Sequence, residues 1–140
     1  MLPMRPEWKV VDESDERGAL ELYLAPPDFV VAVARGHFSQ AFARRWVDVV
    51  DVEFKKGRVF RCFNDWQAMT TYDSGARRVL TTWILANRKN VASSDFLVGS
   101  RIVAMGISTA NVMTTLAGLD MVAHTDRAKF EAVFASAARR

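Results

Sequence analysis

FVVAVARGHFSQAFARRWVDVVDVEFKKG, residues 29–57, holds a buried strand, a turn and an amphipathic helix in one stretch. Phe29 to Ala34 is an almost unbroken run of β-branched and small apolar residues, the pattern of a central strand covered on both faces. Helical spacing then takes over. Phe42, Trp46, Val49, Val50 and Phe54 fall on one stripe of a helix expected from about Ser39 to Lys56. Ser39 suits the N-cap, where a hydroxyl accepts from a free backbone N–H, and Gly57 suits the C-terminal stop.

Upstream, Leu20, Leu22 and Leu24 alternate with Glu21 and Tyr23, the period-two signal of a half-buried strand. Pro26-Pro27-Asp28 is turn chemistry, so a hairpin adds an antiparallel edge. Residues 1–18 are expected to be an acidic, partly ordered lead-in to one domain spanning 19–140. Downstream, Val59 to Phe63 reads as a third strand, followed by a polar, irregular stretch from Asn64 to Tyr72. A second helix starts near Ser74, with Val79, Leu80, Trp83, Ile84 and Asn87 on one face. Val91 to Ser100 is expected to be a loop with a short extended piece, and Ile102 to Ile107 a fourth strand. Ser108 would cap a third helix running to about Ala117 and stopped by Gly118; Met121 to Ala123 would be a short fifth strand. A last helix from Asp126 would turn Phe130, Val133, Phe134 and Ala137 inward. The order β-β-α-β-α-β-α-β-α predicts an α/β fold: a mixed, mostly parallel sheet of about five strands with about four helices, most of them on one side.

The composition bounds the function. The 140 residues are half apolar and one quarter charged, with a net charge of +3, which is globular and far from disorder. Basic pairs recur at Arg44-Arg45, Lys55-Lys56, Arg77-Arg78, Arg88-Lys89 and Arg139-Arg140, mostly near helix ends. Scattered in this way they read as a solvated surface, not as a nucleic-acid site. Met1 to Val10 lacks the apolar core of a signal peptide, and no apolar run approaches the roughly 20 residues that cross a bilayer. With one cysteine, Cys62, an internal disulfide or a thiolate metal site is not expected. A cytoplasmic protein is the natural expectation.

The chemistry-bearing residues are sparse. His37 and His124 are far apart in sequence, without a carboxylate or cysteine at ligand spacing, and read as structural histidines. Cys62, between Arg61 and Phe63, reads as a buried inert thiol. No phosphate-binding Gly-x-x-x-x-Gly-Lys-Ser/Thr loop occurs, and Gly99 and Gly106 do not have dinucleotide-fingerprint spacing. Trp46, Trp66, Trp83, Met105 and Met113 read as core, with Trp66 the odd one between Asp65 and Gln67. No catalytic residue, cofactor or metal is expected.

Three segments carry a resemblance. Tyr72-Asp73-Ser74-Gly75, ahead of the second helix, resembles the Asp-Ser-Ser-Gly turn of STAS domains, the anti-sigma factor antagonist family. Ile102 to Ser108, followed by Thr115-Leu116-Ala117-Gly118-Leu119-Asp120-Met121-Val122, is similar to that family's penultimate strand, helix and final strand entry. Val31 to Phe38 resembles its early strand ending in a glycine. The resemblance runs from Leu20 to the C-terminus. It departs from the family at Tyr72, Asp73 and Ala76-Arg77, and by about eight extra residues before the fourth strand, a rough count from the alternation of elements.

The resemblance implies a non-enzymatic regulatory module that binds a protein partner of the anti-sigma factor or kinase-like type. It also implies reversible phosphorylation at Ser74. Asp73, Ser74, Gly75, Arg77 and Arg78 are the candidate contact surface. A helix N-terminus offers free N–H donors and partial positive charge, and a phosphate on Ser74 would add about −1.5 to −2 charge there. The plainer alternative makes Ser74 an N-cap and Gly75 a turn residue. A second function class, binding of a small ligand or lipid, follows from related folds that hold apolar ligands between sheet and helices. An apolar edge strand at Leu20–Leu24 needs cover, from the lead-in or from a second copy, and a weak homodimer is the expectation.

Overall fold

The strand and helix of residues 29–57 form the centre of a six-stranded sheet in the computed structural model, which describes residues 2–116, 118–119 and 121–139, with backbone alone over 112–116. The strands are β1 (Lys9–Ser14), β2 (Gly18–Ala25), β3 (Phe29–Phe38), β4 (Phe60–Tyr72), β5 (Val91–Val98) and β6 (Met121–His124). They lie in sequence order, β1 to β3 antiparallel and β3 to β6 parallel. Helices α1 (Gln40–Phe54), α2 (Ser74–Ala86), α3 (Arg101–Leu116) and α4 (Arg127–Ala138) supply the other layers. This is the expected mixed α/β, mostly parallel class, with one strand more. Among the described residues no helix is long and apolar enough to cross a membrane.

The caps follow the local chemistry. Ser39 Oγ accepts from Phe42 N at the start of α1, and Asp126 accepts from Ala128 N at the start of α4. Gly57 and Gly118 take positive φ just beyond α1 and α3, the left-handed conformation that glycine adopts without a Cβ clash.

Two cores flank the sheet. Leu20, Leu22, Val30, Cys62, Met69 and Phe96 face α1, α2 and α3, whose Phe42, Trp46, Val50, Trp83, Ile84, Val103 and Ile107 are buried with them. On the other face Tyr23, Phe29, Val31, Phe63 and Leu97 meet Phe130 and Phe134 of α4, with Leu2 from the N-terminus. Three helices therefore share one side, as the alternation predicts. Val133, expected inward, is 38% exposed; Phe130, Phe134 and Ala137 already complete the inward stripe of α4.

The structure departs from the sequence reading at four places. The lead-in contains a 3-10 turn (Pro6–Trp8) and then β1, which pairs antiparallel along β2. The edge on which the expectation of a homodimer rests is therefore closed within the chain. Residues 64–72, read as irregular, continue β4. The register against β3 slips between Val33 and Arg35 and again between Gly36 and His37. Each bulge shifts the period of two, so Cys62, Asn64, Trp66, Met69 and Tyr72 line one cavity despite their uneven spacing.

Residues 91–98, read as mostly loop, are the central strand β5. Ser94 and Asp95 are buried there, and buried polar residues hide a strand from a hydrophobicity reading. Ile102–Ile107, expected as a strand, is the start of α3. Val103, Ile107 and Ala110 are buried while Ile102 and Met105 are exposed, a helical and not an alternating pattern. Ser108 is thus interior to α3 and caps nothing. The penultimate strand is β5, so the residues counted as an insertion are that strand. Ala117 and Asp120 of the quoted match lie outside the described residues, as do the side chains of Met113, Thr115 and Leu116.

One prediction follows from β1. Deleting residues 1–14 strips the edge hydrogen bonds from β2 and leaves Leu20–Leu24 open to other chains. Light scattering at tens of micromolar is expected to find the shortened chain associated and the full chain monomeric; equal masses for both would mean that β1 is not the cover.

Candidate functional site

Because β3 and β4 are parallel and each feeds a helix, the starts of α1 and α2 lie at the same edge of the sheet. Asp73 joins them. Its backbone N donates to Phe38 O at 3.0 Å. One carboxylate oxygen accepts from Gln40 N, the first residue of α1, at 3.0 Å. The other is 2.8 Å from His37 Nε2, and His37 Nδ1 is 2.7 Å from Thr71 Oγ1. With its proton on Nε2, His37 donates to the carboxylate and accepts from Thr71, so one chain of hydrogen bonds ties the ends of β3 and β4 to both helix starts. His37 has the satisfied environment of a structural histidine, with its carboxylate brought from far along the chain.

Asp73 occupies the N-cap position of α2, but its side chain does not cap that helix. Its carbonyl oxygen accepts from Ala76 N and Arg77 N. Ser74 is the first helical residue and is exposed, so the alternative in which Ser74 is the N-cap does not hold. The helix turns the two arginines apart. Arg77 lines an apolar cavity under α2, while Arg78 lines an open groove between α1 and α2. Gly75 borders that groove beside Gln40, together with Arg44, Val79, Thr82 and Trp83. Gly75 and Arg78 thus border one groove, with exposed Ser74 just ahead of Gly75 and Asp73 bonded to Gln40 of the same groove, while Arg77 is turned to the other side of α2.

Sequence reasoning misses the α1 half of this surface, Gln40 and Arg44, and the buried His37 at the end of β3 that holds Asp73. The signal was present: two parallel strand-to-helix turns place Phe38-Ser39-Gln40 beside Tyr72-Asp73-Ser74 once both are recognised.

The Gln40 N–H, and then the His37 ring, hold the Asp73 carboxyl below the ordinary carboxylate range. The unfolded group titrates near 3.9. The stability this carboxylate adds is therefore complete above that pH and is lost as pH falls through the lower, folded value. Acid titrations of Asp73→Asn are expected to lack that part of the loss. A wild-type and variant that respond identically to acid would contradict this assignment.

Asp95 in the middle of β5 and His124 at the end of β6 pair at 2.7 Å. Next to the sheet's other face, Arg127 grips Asp65 through Nη2 at 2.9 and 3.0 Å. These pairs fasten β6 and α4 to the sheet.

No family model matches the chain, and no curated protein matches it. Among solved structures it is similar to an uncharacterized protein of the DUF3478 family from Shewanella loihica PV-4, described as having a SpoIIAA-like fold. The TM-score is 0.60 at 11% identity, over 84% of this chain and 94% of that one. At that identity the likeness is one of fold. By this superposition the chain has the SpoIIAA-like fold, which is the fold of STAS domains and anti-sigma factor antagonists.

Proposed function

We propose that this protein is a non-enzymatic regulatory module that binds a protein partner through the joined starts of α1 and α2. One observation carries the reading: exposed Ser74 immediately precedes Gly75 and stands one helical turn before Arg78, and both of these line a groove bordered by Arg44 and floored by Val79 and Trp83. Such a surface suits a partner segment with apolar anchors and acidic residues. A regulator of the anti-sigma factor or kinase-like type is the partner class that goes with this fold.

Ser74 is the switch position in this reading. A phosphate there meets the positive end of α2 and Arg78, so it is tolerated by the folded protein. Toward an acidic partner it brings repulsion and a charge to desolvate. Asp73 does not pre-empt this role, because its carboxylate is engaged by Gln40 and His37.

Two substitutions separate folding from recognition. Ser74→Ala removes an exposed hydroxyl that caps no helix, so stability is expected to move by no more than about 0.5 kcal/mol and partner affinity to stay within twofold. Ser74→Asp is expected to fold equally well and to weaken the partner about tenfold or more, equivalent to about 1.4 kcal/mol. Calorimetric titration of the partner retained from a host lysate makes the comparison. Equal affinities for all three proteins would remove Ser74 from the interface. Mass spectrometry of the protein from its native host tests for phosphate at Ser74 itself.

A further inference from the structure

Under α2 and α3 the sheet carries polar groups where an all-apolar wall would be more stable. β4 and β5 are central strands, and on this face they present Cys62, Asn64 and Trp66 beside Ser94 and Phe96. Ser94 is 1% exposed, and its hydroxyl has no hydrogen-bond partner among the described residues. The Trp66 indole N–H is buried and equally without a partner among them. Asn64, 4% exposed, makes one long contact of 3.4 Å to Asp95 O. A buried group with its hydrogen bond unmade is costly, and alanine at 94 would avoid that cost.

These groups face a cavity of about 70 Å³, roofed by Leu80 and Ile84 of α2 and by Val103 and Ile107 of α3. Burial pushes the Cys62 thiol up to about 12, so it contributes a neutral, unreactive wall. Tyr72, Arg77 and Thr81 are the partly exposed polar side chains of the lining, and Trp66, Leu80 and Met121 are its partly exposed apolar ones.

Water alone fits this space poorly. A buried water needs two to four polar partners, as a rough rule. Ser94 lies in register with Cys62 and Trp66 with Val98, so the two open groups stand at different levels along the strands. Apart from Cys62, Asn64, Tyr72, Arg77 and Thr81, the rest of the lining is apolar.

The geometry points to a binding site for a small, uncharged, mainly apolar molecule whose carbonyl or hydroxyl oxygen accepts from Ser94. The apolar body of the ligand lies between Phe96 and the α2–α3 roof, with the Trp66 N–H as a second donor toward the C-terminal ends of the strands. The site is separate from the α1–α2 groove, on the inner side of α2 instead of the outer.

Two probes test it on isotope-labelled, full-length protein: 2-butanone, which carries the acceptor, and xenon, which does not. 2-Butanone is expected to shift the Trp66 indole N–H and Ile107 methyl resonances saturably. Its Kd should be roughly 1–10 mM, within reach of about five non-hydrogen atoms. Ser94→Ala is expected to raise that Kd about fivefold, the share of one hydrogen bond, while changing xenon binding by less than about twofold. The melting temperature of Ser94→Ala should be unchanged or higher, which also shows that the variant folds. Three results would overturn the site: resonances that stay still up to about 100 mM ketone, equal ketone affinity in wild type and Ser94→Ala, or a water on Ser94 that the ketone does not displace.

Discussion

Trp83→Ala is expected to cost about 3–5 kcal/mol of folding stability, the largest single loss in the helical layer. The ring centroid lies 5.1 Å from Trp46 and 4.7 Å from Phe54. Its indole N–H donates to Asp51 Oδ1 at 2.9 Å, so the residue clamps α2 to α1 through both packing and a hydrogen bond. Truncation leaves a cavity between two helices that cannot collapse while β3 and β4 hold them apart. Trp83→Phe keeps most of the packing and loses the donor, for about 1–2 kcal/mol. Denaturant titration distinguishes the two variants. A loss below about 1 kcal/mol for Trp83→Ala would mean that α1 and α2 are not packed as described.

Arg127→Ala is expected to cost about 3 kcal/mol, the lower end for breaking a buried pair because Arg127 is itself about one third exposed. Asp65 is only 8% exposed in its side chain, and without Arg127 its carboxylate is left buried and uncompensated. Replacing both partners with apolar residues, Asp65→Leu with Arg127→Met, should lie within about 1 kcal/mol of wild type. The cycle is diagnostic. If the double variant is as unstable as Arg127→Ala, the pair is not what fastens α4 to β4.

How much of this was legible in the sequence depended on whether polarity and burial agreed. β2, β3, α1 and α2 carry their apolar residues at the expected periods, and their boundaries match within about two residues except that β3 runs four residues past Ala34, to Phe38. β5 failed because Ser93, Ser94 and Asp95 interrupt an otherwise apolar run, two of them being buried. With β5 polar, the next apolar segment, Ile102–Ile107, imitates the missing strand, although Gly106 and the exposed Met105 fit a helix packed on Tyr72. The β4 bulges hid half a strand for a related reason, since parity is lost at each slip. β1 is obscured by its charge: Asp12 is exposed and Glu13 pairs with Arg45 of α1 on an edge strand, where charge guards against further pairing.

The candidate site was half visible. Asp73-Ser74-Gly75 stands out as turn chemistry before a helix, but Gln40 and Arg44 belong to the surface only because β3 and β4 run parallel. The cavity was invisible, because Ser94 and Trp66 acquire meaning only from what fails to bond to them.

In the proposed function the outer α1–α2 face, beside Ser74, binds a protein partner. Parallel capture from a host lysate tests it most directly, with wild type, Ser74→Ala, Ser74→Asp and Arg78→Glu immobilised at equal amounts and the retained proteins quantified. The expected result is at least one protein held equally by wild type and Ser74→Ala and depleted about tenfold by both Ser74→Asp and Arg78→Glu. The same retained proteins at the same amounts on all four surfaces would contradict it.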